Sequence, residues 1–229
     1  MTYIRGSKPE FDTWSQLGNP NWTWATLLPY FLKSENYTLP SLSQLAAGAT
    51  YQQKNHGFSG PLHVGYPAAL RNGSFAPLIM GAWEAMSTSL AHNPDLNSGS
   101  VYGFGMGPQT LDREEDVRFD SARAYYHPVE HRGNLRIVRG TVKRILWRGG
   151  DGNGGRGDIR GGGLLEAKGV EFLTAQGREM RRMGVRKEVI VSAGAVRSPL
   201  VLEASGIGNP RCVCVTLYLR KLVVFWLIC

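Results

Sequence analysis

The residues best placed for chemistry lie near the end of the chain, in Val189-Ile-Val-Ser-Ala-Gly-Ala-Val-Arg-Ser-Pro-Leu-Val-Leu-Glu-Ala-Ser-Gly-Ile-Gly. An apolar, β-prone stretch runs into Ala193-Gly194-Ala195, and Ser198-Pro199 then opens the apolar stretch Leu200-Val201-Leu202. Strand, small-residue turn and helix is the grammar of an α/β unit. Proline suits a first helical position because its missing N–H and fixed φ cost nothing there. Side chains this small let a backbone or a flat ligand approach closely. A planar ligand could be held there, although many α/β folds need the same turn for packing alone.

Other reactive residue types lack the spacing their chemistry needs. His56, His63, His92, His127 and His131 fall in predicted loops or strand ends without metal-ligand spacing, so no catalytic residue and no metal site is assigned. Ser59 and Ser205 have the wrong flanks for a Gly-x-Ser-x-Gly nucleophile elbow. Gly103-Phe-Gly-Met-Gly-Pro resembles a dinucleotide loop, but its third glycine comes one residue early and Pro108 follows, so a plain loop is expected. The glycine-rich run 149–163 could cradle a phosphate, yet no helix start follows it, and a solvated connector is expected. The three cysteines, Cys212, Cys214 and Cys229, all lie in the last 18 residues. They form no disulfide framework and no paired zinc knuckle.

The elements that must position such a site are legible in outline. Residues 1–40 are rich in aromatics and read as two short helices packed by them. In the second, Leu27, Leu28 and Phe31 share one face, which requires Pro29 in the first turn. His56 to Gly65 reads as a turn and a short strand. Pro77 to Ala91 reads as a helix with Pro77 at its first position and Ile79, Trp83 and Met86 toward a core. Asn134 to Trp147, Ala167 to Thr174 and Lys187 to Ser192 read as strands, with a polar turn at Gln176-Gly177: a β-meander followed by a buried strand, Val189-Ile-Val-Ser.

Bulk composition narrows the function classes. The chain has 229 residues, 42% hydrophobic and 19% charged, which suits one large domain or two small ones. Its net charge of +8 is concentrated in Arg132–Arg148 and Arg178–Lys187. Both stretches read as strands interrupted by Val, Ile and Leu, so a solvated basic sheet face is expected and not a nucleic-acid surface. The polar start MTYIRGSKPEF shows no signal peptide. Three acceptor triplets, at Asn21, Asn36 and Asn72, hint at secretion. The apolar end Leu222–Cys229 would cover about 12 Å as a helix, against roughly 30 Å of bilayer hydrocarbon, so no membrane span is expected.

The run from Val189 to Gly208 resembles the second signature of the glucose–methanol–choline (GMC) oxidoreductases. Met1-Thr-Tyr-Ile-Arg-Gly through Asp12-Thr-Trp and Gly18-Asn-Pro-Asn-Trp-Thr-Trp to Ser34-Glu35 is similar to the segment after that family's flavin-contact loop. Arg118-Phe-Asp-Ser-Ala-Arg-Ala-Tyr and Arg132-Gly-Asn-Leu-Arg-Ile-Val fit in the same order. The resemblance covers roughly residues 1–210 and is nearest to fungal glucose-oxidase-like and aryl-alcohol-oxidase-like members.

That resemblance implies an α/β fold: an incomplete FAD-binding Rossmann-like domain with a β-meander, plus part of an α+β substrate domain. It divides the chain into a flavin-lid and connecting segment (1–50), a partial substrate domain (51–120), a partial FAD-binding domain (121–210) and an anomalous apolar tail (211–229). It implies FAD as cofactor and oxidation of a small alcohol or sugar by hydride transfer, with a His taking the hydroxyl proton. Thr2, Val142, Ala193 and Gly194 match family positions that contact the cofactor. The phosphate-binding glycines would lie upstream of Met1 and the catalytic His beyond Arg211, where the pattern changes as if by frameshift or read-through. An internal fragment that binds FAD weakly or not at all and turns nothing over is therefore expected. The rival readings are a truncated paralogue kept as a ligand-binding or interaction module, and a basic nucleic-acid binder. Secretion is the expected localisation.

Overall fold

The computed structural model describes residues 2–72, 75–86, 91–148, 165–175, 179–208 and 225–228. The glycine-rich run, the Gln176-Gly177 turn, Gly73 and Ser74 of the third acceptor triplet, the three cysteines and most of the tail lie outside the described residues. The chain divides into two compact units, Met1–Pro128 and Val129–Cys229. The expected segments 1–50 and 51–120 share the first unit.

The first unit opens with two capped helices. In α1 (Lys8–Gln16), the Glu10 carboxylate accepts from the N–H and the hydroxyl of Ser7 at 2.7 and 2.8 Å. In α2 (Trp24–Ser34), Thr23 and Thr26 exchange hydrogen bonds in the same reciprocal way. Phe11 packs on Trp14, Trp24 and Phe31, with ring centroids 5.2–5.8 Å apart. Aromatic packing between two helices is as expected, and Leu27, Leu28 and Phe31 do share the inner, half-buried face. Pro29 is not in the first turn: the Thr23 cap starts the helix early and leaves Pro29 inside it. It sits on the exposed side, where water can satisfy the carbonyl it cannot reach.

Helix α2 runs directly into β1 (Glu35–Tyr37), which pairs parallel with β2 (Leu62–Gly65). Antiparallel β3 (Gln109–Asp112) and β4 (Val117–Arg118) complete the order β1-β2-β3-β4. The short α3 (Leu42–Ala46) lies in the β1–β2 crossover. Its fully buried Gln44 donates to the carbonyls of Tyr66 and Pro67 at 3.0 and 2.9 Å. Tyr37, Ala47, Ala49, Val64, Tyr66 and Leu70 form the core beneath the sheet.

Helix α4 (Phe75–Met86) begins two residues before Pro77, which still falls in the first turn. Its expected core face is outward: Ile79 is 41%, Trp83 45% and Met86 81% exposed. Met80 is the half-buried anchor, lying beside Gly48. An apolar period shows that a face can be covered; it does not show what covers it.

The second unit carries a meander of β6 (Gly140–Trp147), β7 (Ala167–Thr174) and β8 (Met180–Gly184); its first two strands fall where strands are expected, whereas β8 precedes the expected third, Lys187–Ser192. Strand β5 (Leu135–Val138) pairs instead with β9 (Phe225–Ile228). The expected strand over Lys187–Ser192 does not form: it joins no ladder among the described residues, and Ile190 is 52% exposed. Residues 189–192 still alternate half-buried and exposed, so the side-chain period survives without backbone partners to make a strand. The expected order strand, turn, helix is thus shortened to turn and helix.

Helix α5 (Gly194–Ala204) starts at the turn glycine, with Ala193 as its cap, so Pro199 lies inside it and not at its first position. The Ser198 hydroxyl, expected to open the helix, instead accepts from the Ala193 N–H at 3.0 Å. At the other end Ser205 fastens the helix to β6. Its hydroxyl accepts from the Ile145 N–H at 2.8 Å and its carbonyl accepts from the Trp147 indole at 2.7 Å.

Candidate functional site

The four positions taken from the family resemblance fall in different units. Thr2, in the first, is exposed and bridges Gln109; the next residue, Tyr3, donates its N–H to Pro108 at 2.8 Å. Val142, Ala193 and Gly194 are in the second. Val142 is half-buried on β6 opposite Phe172, beside a bulge at Lys143. Helix α5, which packs on β6, presents Ala193 and Gly194 at its start.

Gly194 has φ +86, a left-handed conformation that favours glycine. Nothing lies within 4 Å of the point where a β-carbon would stand. No acidic side chain lies in the first turn of α5, so its unpaired N–H groups meet no repulsion from their own helix if an acceptor approaches. The open space at Gly194 and the small side chain of Ala193 leave room for a flat, polar-edged group to approach the start of α5.

The first unit holds a group of charged residues that no local motif announces. Arg5, Glu35, His56 and Asp95 are all buried. The Arg5 guanidinium donates to Glu35 Oε2 at 2.7 Å. His56 sits between two carboxylates, with Nδ1 2.9 Å from Glu35 Oε1 and Nε2 3.3 Å from Asp95 Oδ2. Its ring stacks on Tyr37 at 3.8 Å. Asp95 also accepts from Asn55 Nδ2 at 2.9 Å and from the Asn97 N–H at 2.8 Å. Neither ionised carboxylate can donate, so both ring nitrogens must. His56 is then an imidazolium, and two cations balance two carboxylates.

The electrostatics agree. Burial works against a charged ring, but its hydrogen bonds to Asp95 and Glu35 outweigh that and raise the His56 pKa above the usual imidazole value. Burial likewise opposes the Asp95 charge, and hydrogen bonds from His56, Asn55 and the Asn97 backbone outweigh it, lowering that carboxyl. Burial, with the Asp95 charge adding to it and the hydrogen bond to the Thr50 carbonyl opposing it, pushes the Tyr66 phenol up to about 12.

This group ties the N-terminal strand-like segment in place. Asn97 accepts from the Arg5 N–H at 2.9 Å and donates to the Tyr3 carbonyl at 3.2 Å. The segment that carries Thr2 is therefore held through Asn97 and Arg5. A closed, buried, charge-balanced group has no face for a substrate; it positions.

Sequence reasoning placed His56 in a loop and assigned it nothing, and the sequence separation of its partners gave no local pattern to read. One signal was available. Asn93-Pro-Asp-Leu-Asn alternates short polar side chains two residues apart, and these make successive Asx turns: Asn93 accepts from the Asp95 N–H at 3.0 Å and Asp95 from that of Asn97. The other described histidines stand elsewhere. His63 stacks on Phe119 at 4.2 Å, and His92 meets the ring of Phe104 edge-on. Among the described residues no cluster of three or more His, Cys, Asp and Glu side chains could hold a metal ion.

Comparison with known proteins gives the site its context. Residues 1–220 match the family described as GMC oxidoreductase. A glucose oxidase-like protein, fsoC, from Humicola fuscoatra is 63% identical over 198 residues, covering 86% of this chain and 32% of that protein. The FAD, quinone glucose dehydrogenase of Drosophila pseudoobscura pseudoobscura is 36% identical over 210 residues, covering 91% and 29%. A solved FAD-dependent oxidoreductase from Chaetomium thermophilum superposes with a TM-score of 0.76 at 31% identity, over 92% of this chain and 33% of that one. The chain spans about a third of the length of the curated relatives it matches.

Proposed function

This chain belongs to the GMC oxidoreductase family, and on that premise we propose that the protein is an FAD-dependent oxidoreductase acting on the CH–OH group of a small alcohol or sugar. The observation that carries the proposal is the unbroken family match over residues 1–220. When bound, FAD supplies the hydride acceptor. The chain's own residues hold and orient it. Gly194 keeps a backbone position open that a side chain would strain and fill, Ala193 keeps its neighbour low, and Val142 offers an apolar surface to a flat ring. In the first unit, taken by itself, Thr2 lies on a segment fixed by Arg5 and Asn97.

A sugar donor is the first to test, since both relatives named above carry glucose in their names. One is called an oxidase-like protein and the other a quinone dehydrogenase, so oxygen and a quinone should both be offered as acceptor. We further propose that the protein is secreted. Three acceptor triplets support this, and among the described residues no helix is long and apolar enough to cross a membrane.

The test is anaerobic mixing of glucose or of benzyl alcohol with flavin-loaded protein extended to the full length of its relatives, of which this chain spans about a third. Bleaching of the oxidised-flavin band is expected with at least one of them. A protein that takes up no flavin at any concentration sinks the proposal. The site is tested separately by titrating FAD into the chain and into Gly194→Val. The variant should bind at least about tenfold more weakly, because a left-handed β-branched residue is strained by a kcal/mol or more. Equal binding would remove Gly194 from the site.

A further inference from the structure

Asn21, Asn36 and Asn72 each head an Asn-x-Ser/Thr triplet, and the structure does not treat them alike. Asn36 is the middle residue of β1, half-buried, bridged to His63 on one side and Phe58 on the other. The side chain of Asn72 is outside the described residues. Asn21 stands in the turn between α1 and α2, exposed, at φ 71. Its carbonyl accepts from the Thr26 hydroxyl, while its side-chain amide makes no hydrogen bond among the described residues.

A second observation points to a ligand at the same place. Trp22, beside Asn21, is 51% exposed, and Trp14 is 44% exposed. Their rings lie 5.7 Å apart, tilted by 52°. Two neighbouring indoles left half in water form an apolar patch of the kind that marks a contact surface. An unbonded, exposed acceptor asparagine adjoins it.

We propose that Asn21 is an N-glycosylation site, with the first sugars of the glycan lying over Trp14 and Trp22. The inference rests on the reading that the protein is secreted. The donor is a lipid-pyrophosphate-linked oligosaccharide. Asn21 Nδ2 bonds to the anomeric carbon of its terminal N-acetylglucosamine, the bond from that carbon to the pyrophosphate oxygen breaks, and one amide proton is lost. The lipid pyrophosphate leaves, and nothing is oxidised or reduced. Transfer occurs on the unfolded chain. The turn then keeps a bulky, polar addition outside the fold, whereas on Asn36 it would stand on a paired strand.

The full chain, given a host leader, is expressed in a secreting yeast. Occupancy is mapped peptide by peptide, on chain from the medium and from the endoplasmic-reticulum fraction. Asn21 should carry glycan, and Asn36 should be bare in the secreted pool. Asn21→Gln keeps the Thr23 cap and should lose the modification. Thr23→Ala should lose it too, and Thr23→Ser should retain it. Enzymatic removal of the glycan should increase quenching of tryptophan fluorescence by acrylamide; no change overturns the placement over the indoles. A bare Asn21 in both fractions overturns the site, as does glycan on Asn36 in its place. Because the leader imposes translocation, these results stand apart from the native address. Finding the native protein only in cytosol would overturn secretion and leave the mapping intact.

Discussion

At the scale of single residues, the His56 group ties stability to pH from both sides. His56 has a raised pKa in the folded chain, so its stabilisation is complete below the unfolded value of ~6.5 and is lost as pH rises through the folded value. Asp95 has a lowered one, so its stabilisation is complete above ~3.9 and is lost as pH falls through the folded value. The group therefore contributes fully between about pH 4 and 6.5. Urea midpoints measured across that range should form a plateau that falls on the alkaline side. His56→Gln should abolish the alkaline fall and cost about 3 kcal/mol on the plateau, since removing one partner leaves buried carboxylates unmatched. An alkaline limb unchanged in the variant would mean that His56 is neutral. Gly57 is a steric counterpart. A β-carbon there would stand 1.8 Å from the Leu32 carbonyl oxygen, in backbone that cannot swing aside. Gly57→Ala should cost at least the upper end of the roughly 1–3 kcal/mol typical of overpacking. A denaturation midpoint equal to that of the parent chain would show that the α2–β1 junction yields.

At the scale of elements, the clasp between α5 and β6 is the part of the candidate site with the clearest energetic signature. Ser205 supplies the acceptor for the buried Ile145 N–H and donates in turn to the Val201 carbonyl at 2.6 Å. Ser205→Ala removes that acceptor with little change in volume. It should cost about 1–3 kcal/mol, the penalty for an unsatisfied buried donor, and amide exchange at Ile145 should accelerate more than at Val170 across the ladder. Equal acceleration at both would mean general loosening. This clasp also marks the limit of what could be read from sequence. Ser205 was excluded as a nucleophile by its flanks alone; its tie to a strand 60 residues away had no local signal. The first two strands of the meander are legible in their local runs of Val, Ile, Leu and Phe; the third, β8, is not, because Met180–Gly184 carries two arginines and little apolar sequence. Val189–Ser192 alternates but has no backbone partner, and period cannot supply one. The start of α5 is not marked by its proline: the left-handed Gly194 and the Ser198 hydroxyl set it four residues earlier than Ser198.

At the scale of the whole molecule, charge and apolar surface act in opposite directions. A net charge of +8 favours solubility, and the basic strands are partly neutralised from within: Glu171 accepts from both Arg144 and Arg182 at 2.9 Å. Its carboxyl is correspondingly lowered, those hydrogen bonds outweighing burial. Against this stands α4. Phe75, Leu78 and Met86 lie within one stripe of the helix and are 74%, 68% and 81% exposed. The period said core; the coordinates put the stripe in water. The two statements make different predictions for the same substitutions. Were the stripe a core, replacing these three residues together with lysine would cost several kcal/mol for each buried apolar side chain lost. As an exposed stripe, each replacement should change stability by no more than about 0.5 kcal/mol. The triple variant should also bind markedly less of a hydrophobic dye such as ANS, because the largest apolar patch among the described residues of α4 is gone. Unfolding midpoint and dye fluorescence, read on the same samples, separate the cases: a large loss of stability with unchanged dye binding would show that α4 is covered in solution.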